Sequence, residues 1–484
     1  MEHQNFDIDT EEKQAGPPDR REWYVQLLRD ILGSIKGIEY DFTRGSIGRA
    51  ILLLSIPMVL EMAMESIFAV VDIFFVAKLG ADAVATVGIT ESILTLIYAI
   101  AMGLSMATTA IVSRRIGEKN REGAAISAVQ SIIVAILVSL PLSLAGIFFA
   151  PDILDLMGAN SEMISELYPY TAIMLGGNMI IMLLFIINAI FRGAGDAAIS
   201  MRVLGVANLI NIILDPLLIF GIGPFPELGI TGAAIATTTG RGLGVVYQFY
   251  LLTKTHNRIN IRAEHWLLDV PIMKKLFRLS LGGIGQHLIA TSSWIGLVRI
   301  IAVFGAEALA GYTIAIRILI FSILPSWGMS NAAATLVGQN LGAGKPGRAE
   351  RSVWITGIVN MTFLVLIGIG FFLWAEELVL LFTTNQEVVS IGTLCLRIIC
   401  LGYLFYAWGM VISQAFNGAG DTDTPTLLNF ICFWLVEIPV AYLLALTLDI
   451  GEEGVFYAIV IAESMLGILG IWLFKKGTWK TRQV

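Results

Sequence analysis

Twelve long apolar runs succeed one another along this chain, with approximate limits 49–77, 83–113, 124–150, 163–191, 197–221, 230–254, 272–304, 307–338, 351–374, 388–416, 425–448 and 453–474. Crossing a bilayer takes about 20 mostly apolar residues, and each run supplies them. Nothing else constrains the fold as strongly. Lipid offers a free backbone no hydrogen-bond partner, so each run is expected to be a helix. Composition agrees, because a chain of 484 residues that is 56% hydrophobic and only 14% charged cannot cover a soluble core. The net charge of −7 argues against a nucleic-acid partner, which selects basic faces. Cys395, Cys400 and Cys432 lie inside apolar runs without metal or redox spacing, and read as small apolar residues. Residues 1–46 are charged and have no continuous apolar region, so no cleavable signal peptide is expected.

Basic residues orient the helices. Arg114, Arg115, Lys119 and Arg121 follow the second run, and Arg192 follows the fourth. Lys254, Arg258, Arg262, Lys274, Lys275 and Arg278 surround the gap between the sixth and seventh. Lys345, Arg348 and Arg351 follow the eighth, and Lys475, Lys476, Lys480 and Arg482 the twelfth. The opposite loops hold Lys78 and otherwise acids, such as Asp152, Asp155, Glu376, Glu377, Glu452 and Glu453. This asymmetry predicts that both termini and the central loop of a multi-pass protein are cytoplasmic; a prokaryotic plasma membrane is the expected location.

The chain also repeats itself. FRGAGD at 191–196 returns as FNGAGD at 416–421, an offset of 225 that also pairs Gly80 with Gly305, Gly103 with Gly328, Gly117 with Gly342 and Asn160 with Asn385. Beyond those loops the offset becomes 222, pairing Gly229, Gly232 and Ala236 with Gly451, Gly454 and Ala458. Six runs per copy is an even number, so the copies are expected to be parallel repeats about an axis along the membrane normal. The expected fold is therefore an all-α integral membrane protein of twelve transmembrane helices in two six-helix lobes. Its parts are an N-terminal extension (1–46), an N-lobe (47–254), a cytoplasmic linker (255–271), a C-lobe (272–476) and a short tail (477–484). Within the extension, Val25, Leu28, Ile31, Leu32 and Ile35 form a helical stripe beside Arg20, Arg21, Arg29 and Lys36, which suits an interfacial helix, while residues 1–20 equally suit a disordered tail. The GAGD loops read as turns, with Gly permitting positive φ and Asp able to accept amides of the next helix. No GK[ST] follows them and no strand precedes them, which disfavours a phosphate cradle.

Four stretches resemble the multidrug and toxic compound extrusion (MATE) family: VVDIFFVAKLGADAVA (70–85), FRGAGDAAISMRV (191–203), NIILDPLLIFGIGPFPELGITGAAIAT (211–237) and FNGAGDTDTP (416–425). The resemblance covers about 46–476. It implies two lobes around a central cavity and export of lipophilic, often cationic compounds in exchange for H⁺ or Na⁺. No cofactor beyond that ion is implied, and a monomer is the expected unit.

Ionisable groups inside spans are costly and usually face protein or water. Asp72 and Asp215 each lie about six residues from the outer end of their run, about 9 Å deep at the helical rise. Two acids in one pocket can share a proton through like-charge repulsion, or coordinate Na⁺ together with Asn211, one turn from Asp215. The resemblance places the family's acids in these same helices. Each acid could instead cap or hydrogen-bond a neighbouring helix. Pro216 follows Asp215 and offers a kink. Glu61, Glu65, Phe68 and Asp72 share one helix face, as a wet cavity wall would require. Relatives often have Tyr where Phe68 stands. Asn208, Asn188 and Asn178 are further polar candidates, or interhelical glue. Glu91, Glu437 and Glu463 are further buried acids. Arg317 and Arg397 are expected to neutralise acids such as Glu437. Glu437 is the repeat partner of Asp215, whereas Leu297 is that of Asp72, which places ion coupling in the first half. The midpoint of the tenth run, near Tyr406 and Ala407, has no acid, which points to the archaeal and DinF-like branch.

Three rivals remain at this point. A flippase for lipid-linked oligosaccharides would favour fourteen spans and a cationic cavity. An enzyme would need a constellation such as HExxH, GxSxG or CxxC, and none occurs. A channel fits a duplicated chain with buried acids less well than alternating access does.

Overall fold

The computed structural model describes residues 20–38, 40–254 and 258–484; the tail reading of 1–20 falls almost wholly outside these residues, as do linker residues 255–257 and the side chains of Arg20 and Arg21. The described residues form helices and no strand. Helix α1 (Arg20–Lys36) realises the stripe expected in the extension. It rests on α2 (Ile47–Val76) through the Asp30–Arg49 ion pair (2.9 Å) and leaves Leu28 and Leu32 exposed.

The N-lobe continues with α3 (Ala81–Gly117), α4 (Arg121–Phe148), the short α5 (Ala150–Leu156), α6 (Ser161–Gly176), α7 (Asn178–Ala194), α8 (Ala197–Ile219) and α9 (Gly229–Leu252). The C-lobe repeats the order as α10 (Val270–Ile301), α11 (Ala306–Gly342), α12 (Pro346–Leu373), α13 (Ala375–Leu380), α14 (Gln386–Leu401), α15 (Tyr403–Ala419), α16 (Asp423–Asn429), α17 (Ile438–Tyr442) and α18 (Glu453–Lys476). Nine described helices are long and apolar enough to cross a membrane, and α14 with α15 forms a tenth crossing bent by 59°. Helices α2 and α9, 30 and 24 residues long, complete twelve. The outer faces show large apolar side chains such as Phe148, Val246, Ile295 and Leu366, as a lipid-facing surface should.

Two spans are interrupted by a glycine. The fourth breaks between α6 and α7 at Gly177 (φ −76°, ψ 0°), and the tenth at Gly402 (φ −78°, ψ −12°), 225 positions on. The eleventh span widens into π-helical turns at Phe430–Glu437 and Leu443–Thr447. Pro439 lacks the amide that an α-helix would use there, which accounts for the widening beside it.

The repeat is visible in backbone angles. Gly80 has φ 109°, ψ 177° and Gly305 has φ 108°, ψ 178°. Gly195 (φ 84°) and Gly420 (φ 82°) end α7 and α15 in the left-handed region, where a side chain would be strained. The Asp roles in the two GAGD loops differ. The Asp421 carboxylate accepts from Thr424 N and from Arg482, whereas Asp196 makes no side-chain cap to α8.

The lobes interlock by exchange. Helix α2 packs on α11, and its counterpart α10 packs on α3. At the end of the bundle that carries the two GAGD loops the two halves touch backbone to backbone. A Cβ on Gly117 would overlap the Gln339 carbonyl, and one on Gly342 would overlap the Arg114 carbonyl. Arg114 Nη2 donates to Ala419 O (3.3 Å), Gln339 Nε2 to Gly193 O (2.9 Å), and Thr335 Oγ1 to Arg192 O (3.1 Å). The ends of the two GAGD helices are thus held by the opposite lobe. Among the described residues, interlobe hydrogen bonds gather towards this end, the deepest running from Asn417 Nδ2 to Met106 Sδ (3.5 Å), so the lobes are sealed there.

Chain ends reinforce the seal. Phe42 packs against Gly195, while Asn340 and Arg348 donate to its carbonyl. Val484 packs against Gly420, and Arg114 Nη2 donates to Arg482 O (3.0 Å).

Candidate functional site

The α2 stripe turns inward as its spacing requires. Glu61 and Phe68 are buried, Glu65 and Asp72 are half-buried, and Ile67, Val70, Ile73 and Phe74 between them are exposed. Each acid meets its own partners. Glu61 Oε1 pairs with Arg192 Nη1 (2.9 Å) and accepts from Asn188 Nδ2 (3.4 Å), whose Oδ1 accepts from Gln248 Nε2 (2.6 Å). Glu65 Oε1 pairs with Arg241 Nη2 (3.2 Å), and its Oε2 accepts from Asn208 Nδ2 (3.4 Å). Arg241 also donates to Tyr98 OH (3.1 Å) and lies over the Phe68 ring, 5.4 Å from its centroid.

Asp72 and Asp215 come four residues before the ends of their helices, α2 and α8, so they share a depth. They are electrostatic neighbours, and Glu91 and Arg241 act on Asp72 as well. Asp215 is fully buried; its Oδ1 accepts from Asn211 Nδ2 (3.4 Å), which also donates to Thr237 Oγ1 (2.9 Å). Three buried oxygens are left without a hydrogen bond: Asp72 Oδ1, Asp215 Oδ2 and Asn211 Oδ1. Buried polar atoms normally have partners. Three acceptors with no donor among them suit a small cation, either a proton shared by the carboxyls or Na⁺ with its preference for oxygen.

Between the lobes lies a central cavity whose charged lining is Glu61, Glu65, Arg192 and Arg241, joined by polar groups that include Asn188, Asn331 and Gln414, with Thr109 and Asn417 nearer the sealed end. Met62, Met102, Met106, Phe185 and Trp327 supply adaptable apolar surface.

Other expected candidates fall elsewhere. Asn178 is buried at the α6–α7 break and donates to Leu175 O (2.6 Å), outside the cavity lining. Glu91 is exposed on α3. Glu437 is buried but takes its hydrogen bond from Ser293 Oγ, so the arginine partner expected for it is a correction. Arg397 bonds Phe372 O (3.3 Å) and stacks on the Phe372 ring, and Arg317 is exposed. Neither arginine is a partner of Glu437, and helix rotation, which decides such pairing, is not supplied by counting spans.

The residue that sequence reasoning passed over is Arg241. It stands alone in ITGAAIATTTGRGLGVV, and a single charge mid-span was the available signal. Tyr98 and Thr237 carried no comparable mark. The one cluster with metal-ligand spacing among the described residues, Glu122, Glu264 and His265, is structural. His265 Nδ1 accepts from Arg262 N, so Nε2 carries the proton and donates to Glu122 (2.7 Å).

Duplicated lobes, a cavity between them and ionisable groups buried in the spans define a membrane transporter rather than an enzyme. The MatE family model matches residues 57–217 and 284–443, once in each half, and the chain belongs to that family of MATE transporters. It is 28% identical over 447 residues to a probable multidrug resistance protein NorM of Thermotoga maritima, covering 90% of this chain and 94% of the relative. It is equally 28% identical over 436 residues to an FAD transporter of Shewanella oneidensis, covering 89% and 95%. A solved outward-facing structure of a multidrug resistance MATE family transporter aligns with TM-score 0.85 and 26% identity, covering 91% of this chain and 98% of that one.

Proposed function

We propose that the protein is a secondary antiporter that exports lipophilic small molecules, cationic ones among them, in exchange for H⁺ or Na⁺. It works as a monomer in a prokaryotic plasma membrane, with both termini cytoplasmic. The observation that carries this reading is the set of three unspent oxygens on Asp72, Asp215 and Asn211. They lie near the helix ends farthest from the seal, where an external ion has access. With the basic loops read as cytoplasmic, the sealed end is the inner one and the protein is closed to the cytoplasm in this state. Relatives named as multidrug resistance or export proteins support the cargo class.

Coupling is assigned to the N-lobe, as in the archaeal and DinF-like branch. In the C-lobe the counterpart of Asp72 is Leu297, and Glu437 is occupied by Ser293. An ion bound at the pair neutralises two carboxylates that repel each other and lets α2 and α8 pack more closely. The cavity then changes shape and cargo leaves. Transport in proteoliposomes, with Na⁺ and pH gradients imposed separately at fixed membrane potential, tests the reading. One gradient should drive accumulation of a lipophilic cation, and if neither does, the antiport reading fails.

A further inference from the structure

Three carboxylates and one cation share a small volume of the N-lobe. Glu65 and Asp72 on α2, Glu91 on α3 and Arg241 on α9 act on one another electrostatically. Tyr98 on α3, Tyr170 on α6 and Asp215 on α8 complete the ionisable groups around them. Arg192 on α7 is committed to Glu61.

Arg241 holds an intermediate position. Glu65 lines the cargo cavity and Asp72 belongs to the ion site, seven residues and about 10 Å apart along α2. The guanidinium pairs with Glu65 but sits over Phe68, the residue of the same stripe between the two acids. Its Nε is buried without a hydrogen-bond partner, and so is Asp72 Oδ1. A donor on Arg241 and an acceptor on Asp72 are therefore both unspent.

Both acids in the cavity wall are closed by arginines, Glu61 by Arg192 and Glu65 by Arg241. These four groups sum to zero charge, which gives a cationic cargo no net attraction. The backbone carbonyl of Arg192, at the end of α7, accepts from Thr335 of the other lobe, which ties this residue to the seal. Arg241 has a second acid acting on it besides Glu65, namely Asp72.

We propose that Arg241 is the cargo's built-in competitor: a lipophilic cation enters by displacing Arg241 from Glu65, and the displaced guanidinium moves to Asp72. Cargo and coupling ion then exclude each other through one side chain. With Arg241 on Asp72 the ion has lost its charge partner. With the ion on Asp72, Arg241 returns to Glu65 and the cation is released. This rests on the ion-coupling reading above, and it adds a cargo-side residue and a charge selectivity.

Equilibrium binding to the purified full-length protein tests it without any gradient, so its outcome is separate from that of the transport assay. The probes are a fluorescent lipophilic monocation and an uncharged molecule of similar shape. Arg241→Gln should bind the monocation about tenfold more tightly, the loss of a competitor worth about 1.4 kcal/mol, and the neutral probe unchanged. Glu65→Gln should lose the preference for the cation, and Glu65→Gln/Arg241→Gln should behave like Glu65→Gln. Arg241→Lys keeps the charge and guards against a folding defect; it should keep the wild-type ratio of the two affinities. A purely structural arginine would weaken both probes together. An Arg241→Gln protein whose cation-to-neutral ratio equals the wild-type ratio overturns the proposal, as does one in which both affinities fall alike.

Discussion

Arg114 and Gln339 stand 225 positions apart, at equivalent points of the two repeats, and each donates to the end of a GAGD helix in the opposite lobe. That exchange explains why one short loop occurs twice. A helix end leaves carbonyls without partners. Here the left-handed glycine satisfies some of them locally, and the other lobe satisfies the next. Breaking the seal must then expose both helix ends at once, which favours a two-state opening over gradual leakage.

Crowding the seal should therefore open it. Gly117→Val and Gly342→Val each place a side chain against the partner lobe's backbone. Overpacking of this kind costs about 1–3 kcal/mol. It falls on the sealed state alone. A cysteine at Asn331, in the cavity wall, should become reactive to a thiol reagent applied from the sealed end. Unchanged labelling would show that this contact does not hold the state closed.

The Glu61–Arg192 pair should be worth more intact than its parts. Removing one member of a buried pair leaves an uncompensated charge and costs about 3–5 kcal/mol. Arg192→Ala should lower the Tm in detergent more than Glu61→Gln/Arg192→Gln does. Equal losses would mean that water reaches Glu61 and screens it.

The C-terminal tail should matter for stability although it lies outside the spans. Trp479 is fully buried, stacks on Phe474 at 4.6 Å and donates Nε1–H to the Phe474 carbonyl (2.9 Å). Trp479→Ala should cost about 3–5 kcal/mol, read as a lower Tm. A change within experimental error would place the tail outside the cooperative unit.

Acid should loosen the segment before α2. Burial alone would push the Asp41 carboxyl up, but hydrogen bonds from the Thr43 hydroxyl and amide, with the charges of Arg44 and Lys119, hold it below its usual range. A depressed folded-state value stabilises above the ordinary Asp range near 4 and loses that contribution as pH falls through the folded value. Wild type should exceed Asp41→Asn in Tm at pH 7, and the difference should vanish in acid below that range. A difference that persists there would contradict the assignment.

Much of this was legible from spacing. The α2 stripe faced inward because residues at i, i+4, i+7 and i+11 share a helix face whatever surrounds the helix, and the repeat offset located both GAGD turns. Partners were another matter. Nothing in the sequence says that Glu65 meets Arg241 across 176 positions, or that Glu437 takes a serine instead of Arg317 or Arg397. Charge pairing depends on helix rotation and packing, which hydropathy does not encode. The breaks at Gly177 and Gly402 were likewise hidden, because a glycine within an apolar run is compatible with a straight helix.

The account turns on Asp72 and Asp215 as the site where the external ion acts. The direct test is gradient-driven export of a lipophilic cation from proteoliposomes containing wild type, Asp72→Asn or Asp215→Asn, at fixed membrane potential and with cargo binding measured in parallel. The account predicts that neither variant responds to the ion gradient, that Asp215→Asn still binds cargo, and that Asp72→Asn, which removes the second acid open to Arg241, binds it more weakly. Gradient-driven export at the wild-type rate in both variants would contradict it.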